Sequence, residues 1–156
     1  MPASIRTAAA HDAPALARLL TALGHPTAAA EVAARWDAWA ADGNAALVAV
    51  DADAIVGVVT MHRMVVLHRP HPVGRITSLV VDAARRGQGI GSALVAAAEG
   101  ELARAGCGLL EVTSNLRLAD AHAFYERVGY ERTSVRLAKP LATPVATPLA
   151  AAPAGR

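Results

Sequence analysis

The run Val80-Val81-Asp82-Ala83-Ala84-Arg85-Arg86-Gly87-Gln88-Gly89-Ile90-Gly91-Ser92-Ala93-Leu94 holds the residues best suited to chemistry. It reads as a strand, a turn rich in arginine and glycine, and the start of a helix. Alternate glycines let the backbone approach a ligand closely and turn several N–H groups toward one point. The first turn of a helix adds N–H groups without intrahelical partners and a partial positive charge. Arg85 and Arg86 add full charges. Such a turn suits a phosphate or pyrophosphate. A P-loop is excluded, because it needs Gly-Lys-Ser/Thr and the sole lysine is Lys139. The dinucleotide fingerprint G-x-G-x-x-G is also missing, since the spacing here is Gly87-x-Gly89-x-Gly91.

A second segment bears on the same question. Ala121-His122-Ala123-Phe124-Tyr125-Glu126-Arg127-Val128-Gly129-Tyr130 follows the glycine turn after one helix and one strand. The pattern R-x-x-G-x-G at Arg86–Gly91 and the pattern F-Y-x-x-x-G-Y at Phe124–Tyr130 together resemble the GCN5-related N-acetyltransferase (GNAT) superfamily. The resemblance runs from about Ser4 to Leu141, specific in these two segments and topological elsewhere. It implies an acetyl-CoA-dependent N-acetyltransferase that moves an acetyl group to a primary amine by direct transfer in a ternary complex. The alternative is an acyl-CoA-binding module of the same fold without turnover.

The resemblance also implies roles for residues. Pantetheine would pair with the main chain of Leu79, Val80 and Val81, between two splayed parallel strands. Arg86 and the N–H groups of Gly87, Gln88, Gly89, Ile90, Gly91 and Ser92 would take the pyrophosphate. Asn115 would contact the cofactor arm, with an offset in the match. Tyr125 matches the family tyrosine near the cofactor sulfur, a phenol suited to protonating a thiolate. On periodicity alone, a tyrosine beside Phe124 on an amphipathic helix reads as core. Many relatives carry a glutamate on the strand before the glycine turn, and here Arg75-Ile76-Thr77-Ser78-Leu79 has none. Glu111 aligns approximately with the catalytic glutamate of ribosomal-protein N-terminal acetyltransferases and is the candidate base. Its other reading is a glutamate on a solvated strand face.

The elements that must position these residues follow from hydrophobic pattern and turn chemistry. Ile5–Thr7 reads as a strand. Asp12 caps a helix with Leu16, Leu19, Leu20 and Leu23 on one stripe, closed by Gly24. A second helix starts at Pro26 and Thr27, with Val32, Trp36 and Trp39 on one face. Strands at 46–50 and 55–61 form a hairpin, with a bulge expected at Gly57. The strand 75–82 feeds the glycine turn. The helix 89–105 turns Ile90, Leu94, Ala98 and Leu102 inward. A strand at 109–113, a helix at 118–128 and a last strand at 131–139 complete the order β-α-α-β-β-β-α-β-α-β. That is an α/β single domain over residues 1–141, with a mixed central sheet flanked by helices. Residues 142–156 read as a disordered Pro/Ala-rich tail.

Composition narrows the remaining classes. The 156 residues carry a net charge of +2 and only 3% aromatics, which argues against a stacking nucleic-acid surface. A single cysteine, Cys107, rules out an intrachain disulfide and a multi-cysteine metal site. No metal is expected. No leader or membrane span is legible in the pattern, so a cytoplasmic location is the expectation. The acceptor is open between a small-molecule amine and a peptide N-terminus. The pattern is compatible with a homodimer.

Overall fold

The computed structural model describes residues 3–142. One five-stranded sheet runs through the chain in sequential order. Strand β1 (Ser4–Thr7) pairs antiparallel with β2 (Asn44–Asp51), and β2 with β3 (Ala54–Met64). Strand β4 (Val73–Val81) pairs antiparallel with β3 and parallel with β5 (Leu109–Val112). Helices α1 (Ala13–Ala22) and α2 (Ala29–Ala41) connect β1 to β2. Helix α3 (Ile90–Arg104) crosses from β4 to β5, and α4 (Ala119–Arg127) follows β5.

The sheet separates two cores. On one face Leu47, Ala49, Val59, Met61 and Ile76 meet the inward stripe of α3, and Ile90, Leu94, Ala98 and Leu102 are all buried as their spacing predicts. On the other face Ala46, Val48, Val58 and Val80 meet Leu16 and Leu19 of α1, with Val32, Trp36 and Trp39 of α2 partly buried against them. Alternation along each strand sorts side chains between the faces. The sheet and α3 approach closely at Gly74, where an added Cβ would lie 2.8 Å from side-chain carbons of both Leu102 and Leu110.

The hairpin between β2 and β3 turns on Ala52 and Asp53 at φ +46° and +65°. Two left-handed residues match the twist of paired strands. The β2–β3 register shifts so that Val56 is the extra residue, next to Gly57 rather than at it. Asp12 precedes α1 but makes no side-chain cap to it. Its carboxylate instead accepts Ala9 N at 2.9 Å and pairs with both Arg6 terminal nitrogens at 2.8 Å. Helix α2 begins at Ala29, later than Pro26 suggests. Thr27 is tied back to Thr21, and the Glu31 carboxylate accepts Ala28 N at 2.8 Å.

The expected last strand does not form. Residues 131–141 are exposed and pair with no strand among the described residues. On the face that Val135 and Leu137 would share, the flanking positions are Glu131, Thr133 and Lys139, so only two large apolar side chains could be buried, and β5 offers only four residues as a partner edge. Strand identity requires a ladder, and local pattern supplies only half of it. The expected tail beyond Ala142 lies outside the described residues.

Candidate active site

The parallel pairing of β4 and β5 runs from Val73–Leu109 to Ile76–Val112 and stops there. Among the described residues, strand β4 continues to Val81 bonded only to β3 over that stretch. The β5-facing edge of residues 77–81 is therefore left open, which is the expected splay. A register shift opposite Thr60 and Met61 makes Thr77 the extra residue at the point of divergence. The Thr60 and Thr77 hydroxyls share a 2.7 Å hydrogen bond there. Leu79 and Val81 pack toward α3, whereas Val80 is buried against α1, so the three side chains serve packing and the main chain forms the edge.

The open edge leads directly into the glycine turn. Gly87 and Gly89 have φ +75° and +79°, and a Cβ at either would meet nothing within 4 Å. The turn thus presents bare backbone to open space, as an anion cradle requires. Ile90, Gly91 and Ser92 form the first turn of α3, where N–H groups have no intrahelical acceptor. Ile90 buries its side chain in the core, and a Cβ on Gly91 would touch the Phe124 ring at 3.6 Å. Gln88 reaches back to the Ala84 carbonyl at 3.5 Å, and Ser92 is exposed.

Ion pairs anchor the turn and reassign one of its charges. Arg18 of α1 donates to Asp82 at 2.6 Å and to the Ile55 carbonyl at 2.7 Å. Arg85, expected to add charge for a phosphate, pairs with Asp51 of the hairpin at 2.8 Å. Arg86 is exposed and donates to the Val81 carbonyl at 3.3 Å. It is the cation of the pair left facing outward.

Tyr125 and Glu111 lie on opposite faces of the sheet. Tyr125 packs half-buried on the α3 side, edge-on to Phe124 at 5.2 Å and to Tyr130 at 5.7 Å between centroids. Burial pushes its phenol up to about 12, so the hydroxyl holds its proton at neutral pH. Tyr130, which the sequence placed only as the end of a motif, is shifted upward by burial first and by the nearby charge of Glu99 second. Its hydroxyl is buried without a hydrogen-bond partner among the described residues. Glu111 stands between Leu110 and Val112, which pack toward α3, so alternation turns it to the α1/α2 face. There it pairs with its register partner Arg75, whose Nε donates to Oε1 at 2.7 Å and whose Nη2 makes a second contact. Asn115 spends its side-chain oxygen on Arg117 N at 3.0 Å, which shapes the turn before α4.

A cavity of about 270 Å³ opens on the α1/α2 face. Leu16, Leu20, Val32, Trp36 and Trp39 form its apolar walls, and the two indoles sit 5.3 Å apart. Its base is the sheet, where Thr60, Thr77 and Ser78 bring hydroxyls to the point of splay. No sequence pattern marked this cavity beyond the tryptophans, because its lining is gathered from both helices and three strands. No group of three or more potential metal-ligating side chains occurs among the described residues. No helix among them is long and apolar enough to cross a membrane.

An open parallel edge, an anion cradle at a helix N-terminus and a cavity beyond the splay are the features of an acyltransferase fold of the GNAT type. Residues 14–130 match the profile of the acetyltransferase (GNAT) family, and the chain belongs to that family. It is 42% identical over 87 residues to an aminoalkylphosphonate N-acetyltransferase of Salmonella typhimurium. That match spans 56% of this chain and 56% of the relative. A protein of Agrobacterium tumefaciens classed as an acetyltransferase superimposes with a TM-score of 0.81 at 26% identity, over 88% of this chain and 99% of that one. A Trypanosoma brucei acetyltransferase shares the fold with a TM-score of 0.79 at 24% identity, over 89% of this chain and 99% of that one.

Proposed function

We propose that the protein is an acetyl-CoA-dependent N-acetyltransferase that acts on a small primary amine. The observation that carries this reading is the continuity of the open β4 edge with the Gly87–Ser92 cradle. A strand-like arm with a pyrophosphate at one end fits that edge and cradle together. Bound acetyl-CoA supplies an acetyl thioester. Leu79, Val80 and Val81 would hold its arm by main-chain bonds, and the turn N–H groups with Arg86 would hold its phosphates. Asn115 would touch the arm through its amide nitrogen.

Transfer forms an N–C bond and breaks a C–S bond; one proton leaves the amine and one reaches the departing sulfur. Tyr125, protonated and on the α3 side of the splay, is assigned as the proton donor. Glu111 is assigned to take the amine proton through water, being a carboxylate on the cavity's face that Arg75 fixes in place. Direct transfer in a ternary complex is favoured because Cys107 precedes β5, at the closed end of the parallel pair, away from the splay. The Salmonella relative's named substrate is itself a small amine.

The test is thiol release from acetyl-CoA with a panel of small amines, read together with the mass of the acetylated product. CoA and N-acetyl product forming in equal amounts sustains the proposal. Acetyl-CoA binding by calorimetry, with no thiol released above hydrolysis for any amine, replaces it with a binding module. No carboxylate occurs among the described residues that line the cavity, which favours that second reading over any other.

A further inference from the structure

We propose that the cavity between α1, α2 and the sheet selects an amine that carries an anionic group on an apolar body, with Arg35 as the residue that holds the anion. This rests on the transferase reading for the fate of the amine but not for its binding. Among the described residues lining the cavity, Arg35 alone is charged. The rest of the lining is apolar or carries neutral hydroxyls. A polycationic acceptor would meet a like charge and no carboxylate, and would lose hydration without compensation. A neutral-bodied amine would leave the guanidinium without a ligand partner.

Arg35 is free to take such a partner. Among the described residues its one ion pair is a single 3.5 Å contact to Oε1 of Glu31, one helical turn earlier. Both side chains are about half exposed, so the contact is weak. Glu31 is already engaged through Oε2, which accepts the Ala28 N–H at the start of α2. A guanidinium presents its donors as a planar fork that matches the paired oxygens of a carboxylate or phosphonate. Beside it Trp36 and Trp39 offer a rigid apolar surface for the body of the acceptor. The Thr60–Thr77 hydroxyl pair lies in the sheet base of the same cavity, at the splay that the amine must reach. Anion at Arg35, body on the indoles and amine at Thr77 therefore describe one molecule.

Three amines with a common body test this: 2-phenylethylamine, 4-(2-aminoethyl)benzoate and 4-(2-aminoethyl)phenylphosphonate, the last two carrying the anion at the far end of the ring from the amine. Each is titrated calorimetrically into the CoA-bound protein and assayed for thiol release from acetyl-CoA. At least one anionic amine is expected to bind about tenfold tighter than 2-phenylethylamine, a difference typical of one charge-assisted pair. Tighter binding of the phosphonate assigns a dianion, and tighter binding of the benzoate a carboxylate. Arg35→Gln should erase the preference and leave 2-phenylethylamine and CoA within about twofold of wild type. Arg35→Lys should restore part of it, because the charge returns without the fork. Equal binding of all three amines, no binding by either anionic one, or an Arg35→Gln loss shared by all three overturns the proposal. The expected binding pattern without thiol release would sustain the anion site and overturn the transferase reading.

Discussion

Gly89→Ala separates the cost of a strained backbone from the cost of a blocked anion cradle. Gly89 sits at φ +79° and ψ −1°, immediately before α3. An alanine there costs about 1–2 kcal/mol of backbone strain. The new methyl meets no protein atom within 4 Å, so no packing cost is added. For a domain of this length that loss lowers Tm by roughly 2–8 °C. The methyl enters the space that the turn N–H groups face. If it displaces one charge-assisted hydrogen bond to a phosphate, about 1.5–3 kcal/mol of binding is lost. The Kd for CoA should then rise about 10- to 100-fold.

Gly24→Ala is the matched control. Gly24 has φ +103° and the same empty surroundings, but it follows α1, away from the turn. Its stability should fall by a similar amount while CoA affinity stays constant. Pantetheine, which lacks the pyrophosphate, should bind both variants and the wild type alike. Thermal unfolding and calorimetry with CoA and pantetheine supply all the numbers. A folded Gly89→Ala protein whose CoA affinity equals that of Gly24→Ala would remove the glycine turn from the site.

Three further outcomes follow from particular contacts. Tyr125→Phe should lower kcat about 10²-fold with little change in CoA affinity, the scale of a general acid; wild-type single-turnover rates would leave Tyr125 as a packing residue. Gly74→Ala should destabilise the fold by about 1–3 kcal/mol in urea unfolding, because its methyl lands 2.8 Å from side-chain carbons of Leu102 and Leu110 and these packed leucines must shift to admit it. The Arg6 pairing holds the Asp12 carboxyl down at about 2 against an ordinary 3.8, so its stabilisation, about 2 kcal/mol, is fully present above the ordinary value and lost as pH falls through about 2. Asp12→Asn should therefore be less stable than wild type at neutral pH, and the gap should close across that acid window in urea titrations.

What the sequence revealed and what it hid divide along a physical line. The glycine turn was legible because left-handed backbone at Gly87 and Gly89 needs glycine whatever surrounds it. The α3 stripe was legible because 3.6-residue spacing and burial express the same requirement. Arg85, Glu111 and Asp12 were harder to read, since each is set by a partner on another element: Asp51, Arg75 and Arg6. No local pattern announces a pairing between residues 34 or 36 positions apart in the chain. The strand expected at 131–139 failed for the same reason, because a ladder is a property of two segments.

Register carries the functional consequence furthest. The pairing of Arg75 with Glu111 fixes the parity of β5, and parity decides which face each of its side chains meets. A slip of one residue would carry Glu111 to the α3 side with Tyr125, and would turn Leu110 and Val112 away from the core. The core therefore enforces the separation: burying those two side chains against α3 holds the carboxylate on the cavity's face. Tyr125 and Glu111 are kept on opposite faces of the sheet by the same apolar contacts that stabilise it. The assignment of roles to Tyr125 and Glu111 stands or falls with that register.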